Sequence, residues 1–300
     1  MFEILSSFLK AQDEKTEVKT NYPISLISPI GIGAPAAYVI YPYTKEALIE
    51  ILSFLRRFCL PYKIFGRMSN VLPRDEFYNG VIVRTDRMND IRFRDNTLFA
   101  ESGAMLGAIM ARCVDAELSG VEELAGIPGS IGGSVVGNAG AFGREMSDVV
   151  TRAHVYDVEN REEYIVSASD MNFSYRHSSI IPDKYVVLGV ELTLVRDEKS
   201  SIVERMLKCR NRRLATQPIG ERTLGSTFKR CRDRSAAELI DLCGLKGVSV
   251  GDAQISKKHA GFVVNNGEAK ARDVLELIEL AENKVRTAFG ITLEREIILM

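Results

Sequence analysis

The chain is poor in the residues that build metal sites and covalent frameworks. Its five cysteines (Cys59, Cys113, Cys209, Cys231 and Cys243) are scattered, odd in number and form no CxxC pair, and its three histidines (His154, His177 and His259) lie far apart. This excludes a disulfide framework and a zinc site of recognisable spacing, so a reduced, metal-free, cytosolic protein is expected. It also lacks an excess of either charge. Thirty-nine basic against 40 acidic residues leave a formal charge of −1, so no global field draws the chain to nucleic acid or membrane. No apolar stretch is long enough for a membrane span. The start, MFEILSSFLKAQDEKTE, has neither a basic leader nor a small-residue cleavage site and does not read as a signal peptide. Phe2, Leu5, Phe8 and Leu9 space instead as a short amphipathic helix. There is no internal repeat and no low-complexity segment, and 300 residues suffice for two or three compact units.

What is present in excess is glycine, in one place. The stretch from Gly126 to Gly143, GIPGSIGGSVVGNAGAFG, holds seven glycines, with Asn138 among them and no charged residue. Glycine costs backbone entropy in regular structure, so so dense a run serves a conformational need. One such need is a chain of tight turns. The other is close approach of main-chain N–H groups to an anion. Because the run also combines Pro128, Ser130 and Asn138, we read it as a cradle for a phosphate-bearing cofactor.

Elsewhere the pattern alternates strands with helices. Ala37–Tyr41 reads as a strand, and Thr44 opens a helix to about Phe58 whose apolar stripe is Ala47, Leu48, Ile51, Leu52 and Leu55. Tyr62–Phe65 follows as a strand, which completes a small α/β lobe. The next turn, Gly66-Arg67-Met68-Ser69-Asn70-Val71-Leu72, suits either an anion site or a plain connection. Strands are expected at Val81–Val83, Ile91–Arg94, Leu98–Glu101, Val149–Asp157, Tyr164–Val166 and Val186–Val195, with a helix from about Met105 to Leu118. Within this region Tyr175-Arg176-His177-Ser178 is polar and compact. An arginine in such a place most often pairs on the surface, and His177 reads as structural or exposed. A domain boundary is expected near residue 197, where a helix rich in Arg and Lys begins. The last helix, about Ala271 to Phe289, ends at Gly290. The terminal segment Ile291–Leu299 reads as a strand with Glu294 and Glu296 on one face, opposite Leu293, Arg295 and Ile297.

Laid out in order, GxxSNxL at 66–72, the Gly-rich block at 126–143, YRHS at 175–178, GSTFK at 225–229, GDAQISKKHAGFVVN at 251–265 and LEREI at 293–297 resemble the UDP-N-acetylenolpyruvoylglucosamine reductase family. The likeness runs from about Ile24 to Leu299, and the lack of an inserted loop points to the shorter class. The resemblance implies an α+β protein with a two-lobed FAD-binding domain of the vanillyl-alcohol-oxidase (PCMH) type over 1–196, with lobes at about 20–75 and 76–196. A smaller α+β substrate-binding domain over 197–300 follows. It implies non-covalent FAD, with NADPH as hydride donor and UDP-N-acetylenolpyruvoylglucosamine as substrate. The cofactor residues it carries over are Gly66, Ser69, Asn70, Gly103, Ile127, Gly129, Ser130, Gly132, Gly133, Asn138, Ala139 and Gly140. Lys229 and Gln254 would meet the substrate, and no metal is implied.

For catalysis the resemblance implies Arg176, Ser226 and Glu296. Hydride addition to the enolpyruvyl vinyl ether builds an enolate, which a fixed cation and a hydrogen-bond donor stabilise; losing one such donor costs roughly 10²–10³ in rate. Arg176 and a protonated Glu296 would hold the enolate and its carboxylate, and Ser226 would protonate it with Lys229 as a neighbour. Three departures stand out. Met68 occupies a position that is usually Gly, ISPIGIGAPAAY at 27–38 has Ile and Ala for the usual Thr and second Gly, and Arg230-Cys231 replaces Asn-Pro. Two alternatives remain: a same-fold flavin oxidoreductase on another substrate, and a non-catalytic nucleotide-sugar-binding relative.

Overall fold

In the computed structural model, which describes residues 2–10, 14–231 and 234–300, the helix Lys45–Arg57 shows how local signals become packing. The Thr44 hydroxyl accepts the Ala47 N–H at 3.2 Å, and Arg56 and Arg57 lie in the last turn. Both ends are therefore matched to the helix dipole. Its stripe of Ala47, Leu48, Ile51, Leu52 and Leu55 is fully buried, and the four larger side chains share a core with Leu5, Ile40, Val81 and Val83. Each such Leu or Ile contributes about 1.5–3 kcal/mol by leaving water. Leu5 and Leu9, on the Phe2–Lys10 helix, join the same core. The side chain of Phe2 lies outside the described residues.

The chain forms two units from interleaved segments: 1–20, 38–67 and 79–211 make the first, and 21–37, 68–78 and 212–300 the second. The first unit contains two sheets. One has four strands in the order Thr16–Pro23, Pro35–Pro42, Tyr78–Arg84, Tyr62–Phe65, with the last pair parallel. The other is five-stranded and antiparallel: Glu162–Ser167, Val150–Asp157, Tyr185–Thr193, Thr97–Glu101, Ile91–Arg94. Its core is closed by Leu106, Ile109, Met110 and Cys113 of the Leu106–Asp115 helix, by Ile131 and Val135, and by Ile202 of the Lys199–Thr216 helix. That long helix is fixed by Arg205, which donates to Glu122 at 2.7 Å and to Asp197 at 2.6 Å. In the second unit, the antiparallel sheet Thr223–Ser226, Phe262–Asn265, Ala253–Ile255, Ser249–Val250 packs with Val274, Leu277, Ile278, Ala281 and Val285 of the Ala271–Phe289 helix. The Asp75 carboxylate accepts the Ala271 and Arg272 N–H groups at 2.8 and 3.1 Å, capping that helix. Gly290, at φ +68°, ends it in the left-handed conformation expected of a C-terminal glycine.

Two expectations change, and two elements appear that the sequence reading did not name. The helix expected to reach Leu118 stops at Asp115, because Glu117 turns left-handed (φ +55°) and Leu118–Ser119 pairs as a strand with Val195–Arg196. Within the Gly-rich run, Ile131–Val136 is helical, with Ile131 and Val135 buried. Core contacts there outweigh the cost of Gly132 and Gly133 in a helix. The polar edge strand Thr16–Pro23 carried no apolar alternation to reveal it. Finally, Ile291–Leu299 is not one strand. Only Ile298–Leu299 is, in parallel with Val71–Leu72. The preceding residues bond to the 227–229 segment through a single bridge, Phe228 to Arg295, so no continuous ladder forms.

Candidate active site

In the first unit, three strand ends meet at the Gly-rich run. Gly66 follows Tyr62–Phe65, and a Cβ added there would lie 2.1 Å from Ser130 Oγ. Gly103 follows Thr97–Glu101, and its Cβ would lie 1.9 Å from the carbonyl oxygen of Thr85, which itself follows Tyr78–Arg84. Only glycine allows these approaches. The Ile131 and Gly132 N–H groups donate to the carbonyls of Ala104 (2.8 Å) and Ser102 (2.9 Å). Gly132 is thus committed to the fold and offers no amide to a phosphate, which corrects its place among the expected cofactor donors. Among the described residues, the N–H groups of Gly129, Ser130 and Gly133 have no main-chain acceptor, and Gly133 is exposed. Ile127 is half-buried and packs on the first core.

Asn138 is also corrected. It is fully buried, so it cannot line a ligand. Its amide donates to Glu145 Oε2 at 2.8 Å and to the Ser174 carbonyl at 3.0 Å, while its Oδ1 accepts the Ser147 N–H at 3.0 Å. The residue is scaffold for the half-buried Ala139 and Gly140 beside it. Glu145 and Ser174 were invisible in the sequence because neither sits in a recognisable pattern.

The same scaffold places Arg176. Ser174 and His177 exchange main-chain hydrogen bonds at 3.1 and 3.0 Å, closing a tight turn with Arg176 at φ +56°. Ser178 Oγ donates to the Val136 carbonyl at 2.8 Å, and Arg176 Nη2 approaches the Gly140 carbonyl at 3.4 Å. The guanidinium is half-buried over the Tyr175 ring, 4.9 Å from its centroid. His177 is exposed. A non-glycine residue held left-handed costs about 1–2 kcal/mol and persists only where its surroundings fix it.

In the second unit, Ser226 and Glu296 lie on adjoining extended segments. Glu296 N–H donates to the Thr227 carbonyl at 2.9 Å, and Lys229 N–H to the Glu294 carbonyl at 2.9 Å. Ser226 Oγ, half-buried, donates to the Phe228 carbonyl at 3.2 Å. Thr227 N–H is held by the Gly261 carbonyl at 2.8 Å, in a loop where His259 Nδ1 accepts the Gly261 N–H at 3.2 Å. Burial first, and Lys246 second, lower the His259 pKa, so the ring is neutral at pH 7 and free to accept that bond. Two expectations shift here. Lys229 directs its ammonium to Glu294 at 2.5 Å rather than to Ser226. The Gln254 amide donates to the Gly247 carbonyl (3.1 Å) and Ser249 Oγ (2.9 Å), bracing its own hairpin. Ser69 and Asn70 are half-buried, and Met68 before them is buried at φ +55°.

The family model for the C-terminal domain of UDP-N-acetylenolpyruvoylglucosamine reductase matches residues 217–300, which hold Ser226 and Glu296, and an FAD binding domain model matches 36–162. A UDP-N-acetylenolpyruvoylglucosamine reductase from Caldicellulosiruptor bescii is 39% identical, over 94% of this chain and 90% of its own. One from Caldanaerobacter subterraneus is 37% identical, over 99% and 98%. The chain belongs to the UDP-N-acetylenolpyruvoylglucosamine reductase family. The crystal structure of UDP-N-acetylenolpyruvylglucosamine reductase from Thermus caldophilus superposes with TM-score 0.80 at 31% identity, covering 95% of this chain and 98% of that one. The fold is therefore that of the reductase, an FAD binding domain joined to the reductase's C-terminal domain.

The first unit fits FAD on its own geometry. The hydroxyl of Ser102 is buried without a partner among the described residues, beside the amides of Ser130 and Gly133 that no carbonyl takes. Orphaned donors of this kind at glycine-exposed backbone suit phosphate oxygens. Among the described residues no cluster of three His, Cys, Asp or Glu side chains could hold a metal, and no helix is long and apolar enough to cross a membrane.

Proposed function

We propose that this chain reduces the enolpyruvyl vinyl ether of UDP-N-acetylenolpyruvoylglucosamine, giving UDP-N-acetylmuramate for peptidoglycan synthesis. Non-covalent FAD, when bound, would supply the redox chemistry that carries hydride from NADPH to the terminal alkene carbon. Everything else falls to side chains of this chain. Arg176 sets a positive charge against the substrate carboxylate and the enolate that grows from it. Glu296, in its neutral form, donates a hydrogen bond to the same oxygen system. Ser226 delivers a proton to the carbon left basic, which requires only that its O–H leave the Phe228 carbonyl for the substrate. Gly66, Ser69, Asn70, Gly103, Gly129, Ser130 and Gly133 provide main-chain amides or close-approach surface to the cofactor, with Ile127, Ala139 and Gly140 at its ring. Gln254 and Lys229 border the nucleotide sugar.

The observation that carries the reading is the main-chain bond from Glu296 to Thr227, next to Ser226, inside the segment that matches the family's C-terminal domain. Residues 1–196 form the cofactor domain in this reading, with lobes at about 20–75 and 76–196, and 197–300 the substrate domain. The compartment is the cytoplasm, where NADPH and nucleotide sugars are found. The test is NADPH oxidation by FAD-reconstituted protein. Oxidation that depends on UDP-N-acetylenolpyruvoylglucosamine is expected. Flavin reduced by NADPH but not reoxidised by that compound would assign the chain to another substrate. Failure to take up FAD would make it a non-catalytic binder.

A further inference from the structure

Glu296 is held by both of its peptide groups, and each is held by a different part of the second unit. Its N–H donates to the Thr227 carbonyl at 2.9 Å. Its carbonyl accepts the side-chain amide of Asn70 at 2.9 Å. Peptide groups are planar, so fixing the two that flank a Cα leaves φ, ψ and hence the Cα–Cβ direction no freedom. Asn70 therefore controls one of the two constraints that aim the Glu296 side chain.

The way it does so is specific. Val71–Leu72 and Ile298–Leu299 form a short parallel ladder, with Ile298 N–H donating to the Asn70 carbonyl at 2.9 Å and Met300 N–H to the Leu72 carbonyl at 3.1 Å. Parallel pairing continues by even, slanted rungs. The next rung would take the Asn70 main-chain N–H to the Glu296 carbonyl. Instead the Asn70 carboxamide makes that rung, and the Asn70 N–H has no main-chain acceptor among the described residues. One residue thus serves two purposes: its side chain continues the ladder, and its main-chain amide remains available to the cofactor turn. No residue with a shorter side chain or without a donor does both.

We infer that Asn70 is a positioning residue for Glu296, acting through its side chain on the orientation of the acid. This rests on the role proposed above for Glu296. In single-turnover measurements on protein saturated with FAD, readable over many decades of rate, reoxidation of Asn70→Ala by the enolpyruvyl substrate is expected to slow by about tenfold more than its reduction by NADPH, the worth of one hydrogen bond. Asn70→Asp keeps the shape, loses the donor and should show the same split, which serves if the alanine variant folds poorly. In a Glu296→Gln background, either Asn70 change should add less than about twofold, because residues acting as a unit are non-additive. In the protein without flavin, amide hydrogen exchange across 296–298 should rise in both variants. Multiplicative losses in the double variant, equal slowing of both half-reactions, or unchanged exchange would each overturn the inference. A wild-type protein that reduces but never reoxidises with this substrate would instead overturn the proposed function, and the role of Glu296 with it.

Discussion

The carboxamide of Asn138 donates to the carbonyl of Ser174 at 3.0 Å, joining the Gly-rich run to a turn 36 residues further along the chain. Through it the backbone around Gly140 and the guanidinium of Arg176 share one support. A residue read from sequence as a ligand contact is thus a tie between the Gly-rich run and the turn that carries Arg176.

Asn138→Ala should leave the part-buried Glu145 carboxylate, Ser174 carbonyl and Ser147 N–H each short of a partner, at a cost of about 1–3 kcal/mol. Alanine at φ +40° adds about 1 kcal/mol of backbone strain. Urea unfolding should show the loss. Asn138→Gly, which relieves the strain but not the lost bonds, should be destabilised by less than alanine. Equal stability of wild type and both variants would mean the tie carries no weight.

Ser226→Ala should leave flavin reduction by NADPH nearly unchanged while reoxidation by the enolpyruvyl substrate falls by roughly 10²-fold or more, as loss of one general acid predicts. Stopped-flow absorbance of the flavin reads the two steps separately. If both steps slow alike, Ser226 is a structural residue and not the proton donor.

Glu122 gives a pH dependence. Burial alone would raise its pKa, but Arg205 and the Gly120 N–H more than offset this and hold the carboxyl below its ordinary value. A depressed folded-state pKa contributes stability that is present above the unfolded value of 4.5 and lost as pH falls through the folded one. Glu122→Gln should cost about 2 kcal/mol at pH 7. Its unfolding free energy should then vary less than the wild type's below pH 4.5. Parallel pH curves for the two proteins would show that Glu122 titrates alike in folded and unfolded chains.

Met68 sets two effects against each other. Its left-handed backbone costs about 1 kcal/mol, which glycine would recover. Its side chain is only 3% exposed, and giving up that burial costs about 2 kcal/mol, with further loss from glycine's unfolded-state entropy. Burial wins. Met68→Gly should lower the melting temperature, and a rise would mean that strain dominates this turn.

Much of this molecule could be read before any coordinates. Thr44 and the stripe from Ala47 to Leu55 mark a helix because capping and period act within a few residues. The Gly-rich block and the family motifs around Arg176, Ser226 and Glu296 were equally legible, since each is a local string. What local strings cannot hold is partner choice across long separations. That Asn70 bonds Glu296, that Asn138 is buried beneath the site rather than lining it, that Lys229 turns to Glu294, and that Gly132 yields its amide to Ser102 were decided only when distant segments packed. Hydrogen bonds are directional and reach about 3 Å, so which donor meets which acceptor depends on the last ångström of tertiary arrangement. Composition and period carry no record of that distance.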